Sequence, residues 1–307
     1  MSLERKLKTA LDETRLLILG AQVLFGFQFS GVFQELFEEL PPSSRYLQCG
    51  ALLLITLTIG LLVAPSMRHR LVEGGQDTNN SLTATTLFAG AALLPLALAL
   101  SLDAFVTLER IYGFGIGLAS GGALLMLALC AWYAMEFLMR RGELMGKKEP
   151  EKPTPLWTKV DQLLTEARVI IPGAQALLGF QFAVTLTRAF EQLPAVTKLA
   201  HVIALFCVAT AVILLMAPAA LHRLSFSGED APGFVKIGSA FVIAAPIPLA
   251  LGIAIDTYVA SRRALDSDQA AVWMASLALV ILLSLWYAYP LLRGWNSAPR
   301  IARPTQD

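Results

Sequence analysis

Few side chains in the apolar stretches of this 307-residue chain can do chemistry, and those few recur in pairs. Glu13 and Arg15 are matched by Glu166 and Arg168, and His69-Arg70 by His222-Arg223. Gln22 and Gln28 are matched by Gln175 and Gln181, and Asp103 by Asp256. A Glu, a His and two Arg converging in each half would bind an anionic group through Arg or relay protons through His. The competing reading of these charges is an interfacial ion-pair network that pins helix ends, and it is favoured because such charges are routine at membrane surfaces.

Arg15, Gln22, Gly26, Phe29 and Phe33 follow helical spacing and share one face. That face is either a polar stripe leading inward or, the favoured reading, interhelical hydrogen bonding at a small-residue contact. Asp103 and Asp256 each follow a proline, Pro95 or Pro248, by eight residues. A carboxylate near a proline kink can hold a cation or a proton. A hydrated interfacial Asp, paired with Arg110 or Arg263, explains the position equally well.

No Gly-rich phosphate loop, HExxH, CxxC or GxSxG occurs, so neither an enzyme nor a cofactor is expected. One matched His per half is too few for a metal site. His201 aligns with Gln48 and reads as incidental. Cys49, Cys130 and Cys207 lie in apolar runs and read as packing residues rather than a disulfide framework. The pairs Trp132-Tyr133 and Trp286-Tyr287 fit an interfacial aromatic belt on the cytoplasmic side.

The elements that must position these residues are apolar helices. Hydrophobic residues make up 56% of the chain, mean hydropathy is +0.61, and charged residues are 15%. A soluble surface needs roughly 25% charge, so the expected solvent and principal partner is the lipid bilayer. A net charge of +1 gives no field for nucleic acid. The matched residues align without a gap at a shift of 153 positions, from Glu13 on Glu166 through Leu40-Pro41 on Leu193-Pro194 to Asp103 on Asp256. Each half holds four apolar runs, at 16–34, 46–65, 82–106 and 112–138, then 168–188, 198–218, 234–258 and 270–292. Each suits a helix crossing a core that takes about 20 residues.

The expected fold is therefore all-α, eight transmembrane helices as two four-helix repeats, 1–140 and 161–307, joined by a basic, Pro-containing linker at 141–160. An even number of spans per repeat makes the repeats parallel, a pseudo-dimer within one chain. Of the 24 Lys and Arg residues, only Arg45, Arg110, Arg188, Lys198, Arg262 and Arg263 fall on one side. The positive-inside rule then puts both termini and the linker in the cytoplasm. The charged N-terminus with its apolar run does not read as a secretory signal, because the same run recurs mid-chain. A multi-pass protein of the cell membrane, inner or plasma, is expected. Its function reads as a small ion or proton transporter or channel, with a non-catalytic scaffold, sensor, or lipid- or partner-binding module as the alternative.

The pattern E-x-R, G-A-Q, F-x-F, A-P-x-x-x-H-R and an Asp in the third helix resembles a bacterial family of small four-helix membrane proteins of unknown function. Glu13 to Phe29 and Ala64 to Arg70 carry the likeness in the first half, and Glu166 to Phe182 and Ala217 to Arg223 in the second. Members often read L-P-G before the Gln; Pro172-Gly173 keeps that and Leu19-Gly20 does not. Members look like single units, so this chain resembles a fused pair. The resemblance implies the fold and no activity.

Overall fold

In lipid every backbone polar group must be bonded within the segment, which makes long helices the economical answer to long apolar runs. The computed structural model describes residues 3–134, 153–226 and 229–296, and the described residues are helical apart from short connections. The first half contains α1 (Leu3–Gly31), a 3-10 turn at Glu35–Glu39, α2 (Pro42–Leu71), α3 (Asn79–Tyr112) and α4 (Phe114–Leu129). The second contains α5 (Leu156–Val184), the single turn α6 (Arg188–Glu191), α7 (Ala195–Leu224), α8 (Pro232–Ala244), α9 (Pro246–Leu265), α10 (Asp268–Leu283) and α11 (Tyr289–Asn296). The basic stretch of the linker at 141–152 lies outside the described residues, and its end at Thr154 is buried. Thr154 accepts from the Asp77 N–H at 2.8 Å and donates its own N–H to Gln76 at 3.0 Å.

Turn chemistry explains the boundaries. Pro41-Pro42 opens α2, and Pro194 precedes α7. Thr78 and Ser267 cap α3 and α10 by accepting from Ser81 and Ala270 N–H groups at 3.0 and 3.3 Å. Gly113, at φ +90°, turns α3 straight into α4, and Asp266, at φ +49°, does the same after α9. The third helix differs between halves. It runs unbroken through Pro95, whereas Pro246 splits its counterpart into α8 and α9.

Among the described residues, seven helices are long and apolar enough to cross a membrane, with α8 and α9 counted together and α4 and α10 extended into the turns that follow them. Eight were expected. α1 is the one outside the seven: it carries Arg15, Gln22 and Gln28 as α5 carries Arg168, Gln175 and Gln181, but it ends on Ser30-Gly31 where α5 ends on the more apolar Ala183-Val184.

Within each half the first helix packs on the second, the second on the third and the third on the fourth. Between halves, α1 lies along α5, and α2 lies against α9 and α10. Glycines make both approaches close. A Cβ on Gly26 would enter the Phe180 ring, and one on Gly173 would overlap the Gln22 side chain. A Cβ on Gly60 of α2 would stand 2.8 Å from Leu285. Ile213, exposed on α7, takes the place of Gly60 in the second half, and no comparable packing joins α7 to α4.

Each fourth helix carries one π turn, Cys130–Ala134 and Ser284–Ala288. There the Tyr133 hydroxyl donates to the Gly90 carbonyl at 2.7 Å and the Tyr287 hydroxyl to the Ile243 carbonyl at 2.6 Å. Trp286 is fully buried and donates to the Gly60 carbonyl at 3.1 Å. The aromatic pairs thus tie helices together, and Trp286 is not a belt residue. Buried, its indole N–H needs an acceptor, and Gly60 exposes one. Cys49 is buried as expected, while Cys130 is exposed.

Candidate functional site

The matched glutamines and aspartates meet in both halves. Gln28 of α1 donates its amide to Asp103 of α3 at 2.8 Å, and Gln181 of α5 donates to Asp256 of α9 at 2.7 Å. Each pair joins the first helix to the third, toward the ends of the helices that carry Gly31 and Tyr112, or Val184 and Leu265. The second helix supplies a further partner, and here the halves diverge. Gln48 of α2 donates to Asp103 at 3.3 Å. His201 of α7 stands at the same position, its Nδ1 3.6 Å from Asp256 Oδ1.

The second-half site is closed to bulk solvent. Gln181, His201 and Asp256 are each 0% exposed, whereas Asp103 is half-buried. Phe29 of α1 stacks on the His201 imidazole with centroids 5.8 Å apart, and Phe190 meets its edge at 5.0 Å. His201 is therefore a member of the site rather than incidental. The signal was present in the sequence: a titratable residue replaced Gln48 on the helix face that meets a matched aspartate.

The geometry limits where protons can sit. His201 Nε2 is 3.0 Å from the Gln181 carbonyl oxygen, which only accepts, so Nε2 carries a hydrogen. Nδ1 is left facing Asp256 Oδ1. Without a proton between them, two lone pairs would oppose each other in a site closed to water. One proton placed between them, on the imidazole or on the carboxyl group, would relieve that opposition.

The charged residues at the other helix ends form a single cluster across the halves, not one cluster in each. Glu166 of α5 receives His69 Nδ1 of α2 at 2.8 Å and also the Arg70 guanidinium. All three side chains are at most 2% exposed. One turn earlier, Gln162 donates to Asp77 at 2.6 Å, fastening the α2–α3 loop over the same place. The counterparts do not gather. Glu13, Arg168 and Arg223 are exposed, Arg15 and His222 are half-buried, and His222 packs on the Phe234 ring at 4.7 Å. The physical reason is the offset docking of the halves, which brings the end of α2 to α5 but leaves the end of α7 at the periphery.

The remaining polar residues divide in the same way. Gln22 is buried against Gly173, with neither end of its amide hydrogen-bonded. Gln175, its counterpart, is exposed, so only one of the two glutamines lies on an inner face. Among the described residues, no three His, Cys, Asp or Glu side chains gather as metal ligands.

No curated protein and no solved structure matches the chain. A family match covers residues 1–136 and again 156–290, taking in every helix of the site once in each segment. With most of its length matched in two successive segments, the chain belongs to the family of unknown function DUF6328.

Proposed function

We propose that this is a membrane protein of eight spans that exchanges protons through the His201–Asp256 pair. α1 serves as the eighth span: it is 29 residues long, as is α5, and lies along it. Contacts between the two advance in the same direction, Gln22 on Gly173 and then Gly26 on Phe180, which supports parallel repeats. The excess of Lys and Arg at the α2 and α7 C-termini and in the linker supports cytoplasmic termini in a cell membrane. No enzymatic reaction is assigned.

One observation carries the reading: a fully buried His and Asp face each other, His201 Nδ1 3.6 Å from Asp256 Oδ1, with neither atom hydrogen-bonded elsewhere. An ionisable residue inside a membrane is costly and marks function by default. A proton that can rest on either of two partners is the unit from which relays are built. Further polar groups lie along α5. The Gln22 amide sits at the level of Gly173, about 12 Å from Gln181 along the helix, and Glu166 follows after about 10 Å more. Water would have to bridge those gaps.

A second reading, a non-transporting scaffold, draws on Asp103, whose carboxylate is satisfied by Gln28 and Gln48 on neighbouring helices. Proton flux into proteoliposomes separates the two. Under the proton reading, Asp256→Asn abolishes flux, and so does His201→Gln, which copies the first-half site. Asp103→Asn retains it. Flux no higher than in empty liposomes, with folded and inserted protein, rejects the proton reading and leaves the scaffold.

A further inference from the structure

At the ends of the helices opposite Glu166, the two halves enclose an open cavity of about 540 Å³. Glu38 and Arg45 line it from the first half. Gln192, Leu193 and Pro194 come from the α6–α7 connection, and Arg262, Arg263 and Asp266 from the end of α9. The volume falls in the range of small-ligand sites, roughly 300–1,000 Å³.

The charges around this cavity are unevenly paired. Arg262 pairs with Asp266 and Asp268, each at 2.7 Å. Arg263 pairs with Glu38 at 2.6 Å. Arg45 instead donates Nε to the Leu40 carbonyl at 3.1 Å and a terminal nitrogen to the Glu38 carbonyl. Those carbonyls orient the guanidinium without neutralising it, and among the described residues no carboxylate pairs with it. Of the three arginines, Arg262 and Arg263 are therefore paired with three carboxylates, Glu38, Asp266 and Asp268, and Arg45 alone presents a guanidinium that meets only carbonyl oxygens. A guanidinium fork matches the oxygens of a phosphate group in both spacing and charge.

The cavity belongs to the junction rather than to the repeat. In the first half Glu109 occupies the position of Arg262 and hydrogen-bonds Ser44, and Gly113 occupies that of Asp266. The first half therefore does not repeat the arginine pair.

We infer that this cavity binds a phosphate-bearing anion, a phospholipid headgroup or free phosphate, with the Arg45 charge selecting it and Arg262 and Arg263 flanking it. The site is independent of the proton pair.

Two arms test the inference on the full chain. Phosphorus NMR line broadening measures inorganic phosphate binding to delipidated protein in detergent. Native mass spectrometry measures retained phosphatidylglycerol after reconstitution and extraction. The proteins compared are wild type, Arg45→Gln, Arg45→Lys and the distant Arg168→Gln. Removing one charge-assisted contact should weaken binding roughly tenfold or more. Arg45→Lys should keep part of it, and Arg168→Gln all of it. Phosphate binding lost in Arg45→Gln assigns a free anion, and lipid retention lost without phosphate binding assigns a headgroup. If Arg45→Gln unfolds because the α1–α2 loop loses its anchor, Arg262→Gln carries the same expectation. Wild-type protein that binds in neither arm, or a folded variant that binds as wild type does, overturns the inference.

Discussion

Replacing Glu166 by Gln gives the sharpest test of how the halves are held together. The carboxylate accepts from Arg70 and, at 2.8 Å, from His69, and none of the three side chains reaches solvent. Glutamine keeps the shape but removes the one counter-charge that the buried Arg70 guanidinium has among the described residues. Breaking a buried ion pair from one side costs about 3–5 kcal/mol, because the other charge stays behind. Glu13 is the matched residue in the first half and is exposed, so Glu13→Gln should stay within about 0.5 kcal/mol of wild type. Unfolding free energies from titration with a denaturing detergent in mixed micelles would measure both. Arg70→Met in the Glu166→Gln background should recover part of the loss, since it removes the stranded charge. A cost under about 1 kcal/mol for Glu166→Gln, or equal costs at Glu13 and Glu166, would refute the view that this pair fastens the halves.

Two further contrasts use the same logic of matched positions with different surroundings. Gly26→Ala should destabilise by about 1–3 kcal/mol because the new methyl enters the Phe180 ring, while Gly179→Ala, which meets nothing within 4 Å, should be neutral or slightly stabilising; the same detergent titration reads both. Trp286→Phe leaves the Gly60 carbonyl without its buried donor and should cost about 1–3 kcal/mol, more than Trp132→Phe at its half-buried counterpart, measured by thermal unfolding in detergent.

Matching the two halves singles out Gln28, Asp103, Gln181 and Asp256 as polar residues of apolar helices, but does not show that they pair; the alternative partners Arg110 and Arg263 instead meet Glu39 and Glu38. The joint between halves was not legible. It depends on where Gly26, Gly60 and Gly173 let helices approach, and a glycine shows room for a neighbour without naming it. Hence Glu166 was expected among the charges of its own half and instead meets His69 and Arg70 of the other. The same preference for symmetry hid His201, whose lack of a counterpart marks where the two sites differ. Trp286 resembled a belt residue because its sequence neighbours do, and only the groove at Gly60 explains its burial.

Gly60 and Ile213 also set how far the architecture can propagate. α2 offers a groove at Gly60 that takes Leu285 and Trp286 from the far half. Joined in this head-to-tail manner, units could add without end, because each addition exposes a fresh groove. Ile213 removes that groove from the second half by filling its place with a branched side chain. Ile213 thus leaves α7 without the groove through which α2 receives the fourth helix of the other half.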